Sequence, residues 1–280
     1  MMVLMLIQLT YANKANIYGE TPLYIACDSG HTDIVRLLLS HDGINASIAS
    51  IAKNSVVTPL YAACDNGHTD ITRLLLAHDG TDVNIGSSNG STPLYIACYG
   101  GHADIVRLIL SHDCIDVSIA DRNSWTPLYI ACDRDHTDIA RLILSHYDTD
   151  ANIANSYGTP LHAACDRGHA DTVSLLLSHD GIDVGIANRY GETPLHTACC
   201  RDRGHTDIVR LLLSHDGIDA NRADRYSNTP LHIACYRHRT DTVSLLLSHD
   251  GIDANIANSS GNTPLHIACD NRGTFVYCLL

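Results

Sequence analysis

Apolar residues in this chain come in paired short blocks separated by polar turns, and Asn188–Gly217 shows one pair in full. Leu195, Ala198 and Cys199 fall at helical spacing and give a short apolar face. Thr193 stands before Pro194, an order that starts a helix: a Thr hydroxyl caps free amides, and Pro is tolerated at a first helical position whose N–H has no partner. Gly204 then ends the element, because a C-cap favours a left-handed residue. A second helix is predicted from about Asp207, whose carboxylate suits the positive end of the helix dipole. It should place Ile208, Leu211 and Leu212 on one face, with Val209 and Leu213 extending the apolar surface sideways. Ser214-His215-Asp216-Gly217 closes that helix, and Ile218-Asp219-Ala220-Asn221 leads through a polar turn into the next pair. Helices of roughly eight to ten residues are marginal alone, so their stability depends on neighbours.

The pair recurs. Thr opens it at Thr21, Thr58, Thr92, Thr126, Thr159, Thr193, Thr229 and Thr263, at intervals of 33 to 37 residues, and all eight prolines lie in these motifs. A period of about 20–50 residues marks a stack of units, each too small to bury its own apolar face. The expected organisation is a truncated repeat over 1–20, seven repeats over 21–262 (21–57, 58–91, 92–125, 126–158, 159–192, 193–228, 229–262) and an incomplete repeat over 263–280. Two repeats are irregular. Asn45–Val57 is three residues longer than its counterparts, which predicts a bulged hairpin, and Cys199–Gly204 carries two extra residues between helices. Both read as loop insertions, which exposed segments tolerate. The apolar Met1–Gln8 has no basic start and is too short to span a bilayer, so it reads as part of the truncated repeat.

Thr-Pro-Leu-His at 193–196, the Gly-His pair between helices, Leu-Leu-Leu in the second helix and an Asp-Val-Asn-like hairpin together resemble the ankyrin repeat, from about residue 3 to the C-terminus. Cys stands where that family has the second Ala of an Ala-Ala pair, and most units carry one extra residue after the second helix. The first four units have Tyr24, Tyr61, Tyr95 and Tyr129 where the family has His, while His162, His196, His232 and His266 keep it. The resemblance implies an all-α helical solenoid of helix-turn-helix-hairpin repeats. In it, hairpin tips and first helices would build a concave face that grips proteins.

Composition narrows the chemistry. A formal charge of −13 disfavours nucleic acid and anionic membrane as partners. Of eleven cysteines, Cys27, Cys64, Cys98, Cys132, Cys165, Cys199, Cys235 and Cys269 end the repeated motif. Stacked helices about 8–10 Å apart exceed the roughly 7 Å limit for a disulfide. These residues therefore read as buried thiols in a reducing compartment, the cytoplasm or the nucleus. Cys114, Cys200 and Cys278 lie outside the pattern and are the candidates for exposed thiols.

Most of the eighteen histidines form ladders with one member per repeat, too widely spaced to chelate one ion. Those ending the second helix, such as His78 and His215, should complement its negative dipole end as partly charged rings. His162, His196, His232 and His266, at helix starts, should instead be buried and neutral, their pKa lowered. Ser-His-Asp recurs, as at Ser178-His179-Asp180, but adjacent residues cannot form a nucleophile–base relay. No phosphate loop or metal-ligand motif is present, so neither catalysis nor a cofactor is expected.

Surface recognition remains. Variation among repeats concentrates just before each Thr-Pro and just after each motif Cys. Before Thr-Pro the chain carries Arg122, Trp125, Tyr157, Arg189, Tyr190, Arg225 and Tyr226; after Cys it carries Arg134, Arg167, Arg201, Arg203, Tyr236 and Arg237. Tyr, Trp and Arg dominate interface energies because each joins large contact area to a polar handle. An arginine-lined strip favours a protein partner presenting an acidic or phosphorylated segment. The competing expectation is a structural spacer or self-assembling array segment that associates end to end.

Overall fold

The computed structural model describes residues 12–52, 55–200 and 205–270, and among them the chain forms fifteen helices and one two-stranded sheet. It divides into two compact units, residues 1–150 and 151–280. The N-terminal unit contains α1 (Pro22–Asp28), α2 (Thr32–Leu39), β1 (Ser50–Ala52), β2 (Ser55–Val57), α3 (Pro59–Asp65), α4 (Thr69–Leu76), α5 (Pro93–Gly100), α6 (Ala103–Leu110), α7 (Pro127–Asp133) and α8 (Thr137–Leu144). The C-terminal unit contains α9 (Pro160–Arg167), α10 (Ala170–Leu177), α11 (Pro194–Cys200), α12 (Thr206–Leu213), α13 (Pro230–Tyr236), α14 (Thr240–Leu247) and α15 (Pro264–Asp270). Within each unit, odd-numbered helices pack in one row and even-numbered helices in a second. Residues 1–11 of the expected partial repeat, Lys53 and Asn54, and the segment after Asp270 that includes Cys278 lie outside the described residues.

Each first helix begins as the Thr-Pro pair requires. Thr58, for example, is extended, and its hydroxyl accepts the Tyr61 N–H at 3.1 Å. Gly67 ends the turn after α3 at φ +72°, and a Cβ there would stand 2.8 Å from Cε1 of His102. Glycine at this place thus serves the left-handed backbone and makes room for the next repeat's imidazole. Asp135 and His238 occupy equivalent positions at φ 62° and 58°.

The core is a layer of small units. In α12 the buried face is Ile208, Val209, Leu212 and Leu213, and Leu211 is only half-buried. This corrects the expected face by one position: rows on both sides, rather than a single apolar stripe, set which residues are covered. The second helix also starts at Thr206, with His205 as its N-cap. Cys27, Cys64, Cys98, Cys132, Cys165, Cys199 and Cys235 are buried free thiols, and burial pushes Cys64 up to about 12. Cys269 departs from the expectation and is exposed; Cys114 is exposed and Cys200 half-buried.

The long segment Asn45–Val57 carries the described sheet. Its extra residues pair as an antiparallel hairpin with Ser50 opposite Val57 and Ile51 opposite Val56. The alternation of strands explains this: Ser50 and Val57 face inward, Ile51 and Val56 outward. Ser50 Oγ anchors the pair by accepting the Thr21 N–H at 3.0 Å.

Candidate recognition surfaces

In the C-terminal unit an Asn or Asp opens each hairpin tip. Asn188 Oδ1 accepts the Tyr190 and Glu192 N–H groups at 2.9 and 3.1 Å, and Asp224 Oδ1 does the same for Tyr226 and Asn228 at 2.8 Å each. Successive tips are joined by main chain: Arg189 N–H donates to Ser156 O, and Arg225 N–H to Tyr190 O at 3.1 Å. These bonds fix the spacing of exposed Tyr157, Tyr190 and Tyr226.

The arginines organise around those rings. The Arg189 guanidinium lies 5.5 Å from the Tyr157 ring centroid and 4.6 Å from that of Tyr190, and it donates to the Tyr190 hydroxyl. Arg237 lies 5.8 Å from the Tyr236 centroid. Tyr190, Tyr226, Tyr236 and Arg237 share the lining of a cavity of about 430 Å³, with Ile233 and Ile267 as aliphatic wall. The carboxylates nearby are tied into the tips, since Asn228 Nδ2 donates to Asp224 and Asn188 Nδ2 to Glu192. Arg225 and Arg167 are exposed in the same unit, whereas Arg201 and Arg203 lie outside the described residues.

The other expected residues belong to the N-terminal unit. Arg122 is exposed, its N–H donating to Asn89 O at 2.8 Å. Arg134 stacks on Tyr99 at 3.8 Å. Trp125 is half-buried, its ring 5.2 Å from that of Tyr129. Packing against the first helix, rather than display at the tip, is what one position before Thr126 confers.

The helix-start histidines form a third network. Thr159 N–H donates to His162 Nδ1 at 3.0 Å, so that nitrogen carries no proton, and Nε2–H donates to Glu192 O at 3.0 Å. His196 repeats this with Thr193 and Asn228 O, and His232 with Thr229 and Asn262 O. Burial lowers all three pKa values, that of His162 to about 4. His266 differs: it caps through Thr263 but its ring is exposed. The histidines closing second helices make local turn bonds. His78 Nδ1 accepts the Gly80 N–H and His215 Nδ1 the Gly217 N–H, each at 3.2 Å. They close the turns that follow the second helices.

Sequence reading did not single out a second cavity, in the N-terminal unit, lined by Tyr24, Asp28, Tyr61 and Asp65. Nor did it find the residues that clip one repeat's turn to the next. Asn84, for instance, donates to Cys114 O at 2.7 Å and accepts the Asp116 N–H at 3.0 Å. Asn13, Ser47, Asn152 and Asn221 make equivalent bridges, so recurrence of Asn or Ser at one phase was the available signal. Among the described residues no three His, Cys, Asp or Glu side chains are placed to hold a metal, and no helix is long and apolar enough to cross a membrane.

Comparison with known proteins agrees with this architecture. Family models described as ankyrin repeats match residues 2–87, 80–155, 147–224 and 212–268. The crystal structure of EF0377, an ankyrin repeat protein, is similar with TM-score 0.64 and 27% identity, covering 68% of this chain and 97% of that one. No curated protein matches the sequence. Solved chains matching the fold number 594, so the fold by itself selects no partner. Ankyrin repeats serve generally as protein–protein interaction modules, and this chain belongs to the ankyrin-repeat family.

Proposed function

We propose that the chain is a non-enzymatic recognition module whose C-terminal unit binds an acidic or phosphorylated segment of a protein partner. The observation that carries this reading is the line of exposed Tyr157, Tyr190 and Tyr226 with Arg189 lying between the first two rings. A guanidinium held against aromatic faces loses less freedom when it forms paired bonds to a carboxylate or phosphate. Arg225 and Arg237 extend the same strip, with Arg167 on the neighbouring first helix, and Arg201 and Arg203 follow Cys199 in sequence. In the N-terminal unit, Arg122 and Arg134 are exposed and Trp125 half-buried, and they would offer a partner contacts within that unit. The thiol-rich core suits a reducing compartment such as the cytoplasm.

Affinity capture from a source lysate identifies the partner, and single Ala substitutions at Tyr157, Tyr190 and Tyr226 test the face in the captured complex. Losses of about 2 kcal/mol or more are expected at one or two of them. Unchanged affinity in all three, with melting behaviour preserved, would place the interface elsewhere.

A further inference from the structure

A cavity of about 430 Å³ opens beside the tyrosine row of the C-terminal unit. Tyr190 and Tyr226 line it from the tips, Ile233, Tyr236 and Arg237 from α13 and its C-cap, and Ile267 from α15. That volume falls within the roughly 300–1,000 Å³ typical of ligand pockets, and three rings with two aliphatic side chains suit an apolar guest. Glu192 and Asp224 also border the space, but both carboxylates are committed to the tips. Glu192 accepts from Asn188 Nδ2 at 2.9 Å, and Asp224 Oδ1 accepts two main-chain N–H groups at 2.8 Å each. With Arg237 on the same lining, the cavity offers apolar contact rather than a seat for a cation.

The chain leaves an aromatic ring uncovered here. Tyr236 directly follows its motif Cys, the place that Tyr99 holds in α5. Arg134 covers the Tyr99 ring at 3.8 Å, whereas Tyr236 is 60% exposed and Arg237 stands 5.8 Å from its centroid. Tyr190 joins the cavity to the arginine strip. Its hydroxyl accepts from Arg189, whose guanidinium lies 4.6 Å from the ring centroid, and the same ring forms cavity wall. In an extended segment, residues i and i+2 point the same way about 6.5–7 Å apart. An acidic residue paired with Arg189 therefore places its second neighbour within reach of the cavity.

We propose that the partner segment carries a large apolar side chain, aromatic or long aliphatic, two residues from the carboxylate or phosphate that engages Arg189, and that this side chain fills the Tyr190–Tyr226–Tyr236 cavity. Resting on the reading of the strip in the C-terminal unit, the anchor adds what paired charges lack: a contact that tells one acidic segment from another. Arginine pairing supplies attraction, and the desolvated apolar anchor supplies discrimination.

The test is retention on the full chain of two synthetic peptide libraries, one with a fixed central aspartate and one with a fixed central phosphoserine, each randomised on both sides. Retained sequences should be enriched in Phe, Tyr, Trp, Leu or Met at a position two residues from the acid. The best of them should lose at least tenfold in affinity on Tyr236→Ala/Ile233→Thr, while its analogue with Gly at the apolar position binds that variant and the unaltered chain alike. Thr197 holds the place of Ile233 in the preceding repeat, so the fold accepts the change. Bound peptide should also slow alkylation of Cys200, half-buried on the cavity lining, at least fivefold without altering that of exposed Cys114, and the Gly analogue should protect less. Acidic peptides with no apolar preference, with equal affinity on the cavity variant, or with no protection of Cys200 would overturn the anchor and leave the strip standing. Failure to retain any acidic peptide, or affinity untouched by Arg189→Ala, would overturn the reading of the strip and the anchor with it.

Discussion

The third residue of each first helix is tyrosine throughout the N-terminal unit and histidine throughout the C-terminal unit, on the same backbone and after the same Thr-Pro start. Tyr24, Tyr61, Tyr95 and Tyr129 accept the standard cap, their N–H donating to the Thr hydroxyl, and then fill space with a ring. His162, His196 and His232 additionally receive the Thr N–H and pass a hydrogen bond to the carbonyl of the residue just before the next repeat's Thr. That carbonyl already serves its own tip: Glu192 O, for example, also accepts the Asn188 N–H. One side-chain change therefore decides whether layers are joined through packed phenols or through a directional polar bond. It also decides which unit feels acid.

The largest expected effect breaks the comparison by pH. Burial depresses the folded pKa of His162 from 6.5 to about 4, and lowers His196 and His232 in the same direction. The unfolded chain thus binds more protons than the folded one between those values. The histidine contribution is fully present above about pH 6.5 and lost as pH falls toward 4, at about 1.4 kcal/mol per pH unit for His162 alone. Hydrogen exchange at pH 7.5 and 5 should show α9, α11 and α13 loosening well ahead of α1, α3, α5 and α7. Equal loosening in both units would mean that the ring bonds do not control acid sensitivity.

Exchanging the two residue types gives the next effect. His196→Tyr strands the Thr193 N–H and removes the donor to Asn228 O in a fully packed site, so a loss of about 2 kcal/mol or more is expected. The reverse change, Tyr95→His, gives up phenol contacts but offers a donor toward the carbonyl just before the next repeat's Thr, where Trp125 O accepts the Asp121 N–H. Its net effect should stay within about 1 kcal/mol. Thermal melts of both variants read the asymmetry, and matched losses would show that only ring volume matters.

How much of this was readable beforehand follows from how local each cause is. Thr-Pro caps, glycine stops and the repeat phase depend on neighbours in sequence, so the helix pairs were legible from single motifs. The buried face of α12 was off by a position because two flanking rows decide it, and Leu211 looks as apolar as Val209 from sequence alone. Exposed tip tyrosines were legible because Tyr157, Tyr190 and Tyr226 share one phase. Trp125 is less exposed than the tip tyrosines because one residue's shift toward Thr126 brings its ring to within 5.2 Å of Tyr129. The Asp28–Asp65 cavity drew no attention, since residues of α1, α3, β2 and a distant Arg122 make it together.

The smallest effect concerns a device common to both units. Asn13, Ser47 and Asn84 in the first and Asn152 and Asn221 in the second each bridge to the turn of the following repeat. At the matching phase the C-terminal unit has Gly185, which has no side chain to offer. Its backbone does not need glycine, because its φ is not positive, and a Cβ would meet only Asp183 Oδ1 at 3.2 Å and Arg222 Nη1 at 3.9 Å. Gly185→Asn should therefore set an amide against Gly217 O and the Asp219 N–H while reducing the freedom of the unfolded chain. Both effects point to a gain of about 1 kcal/mol. Because Asn does not titrate, urea melts should show the gain equally at pH 7.5 and 5. A gain confined to neutral pH would mean that the clip acts only on layers the histidines already hold, and the two devices would then be one.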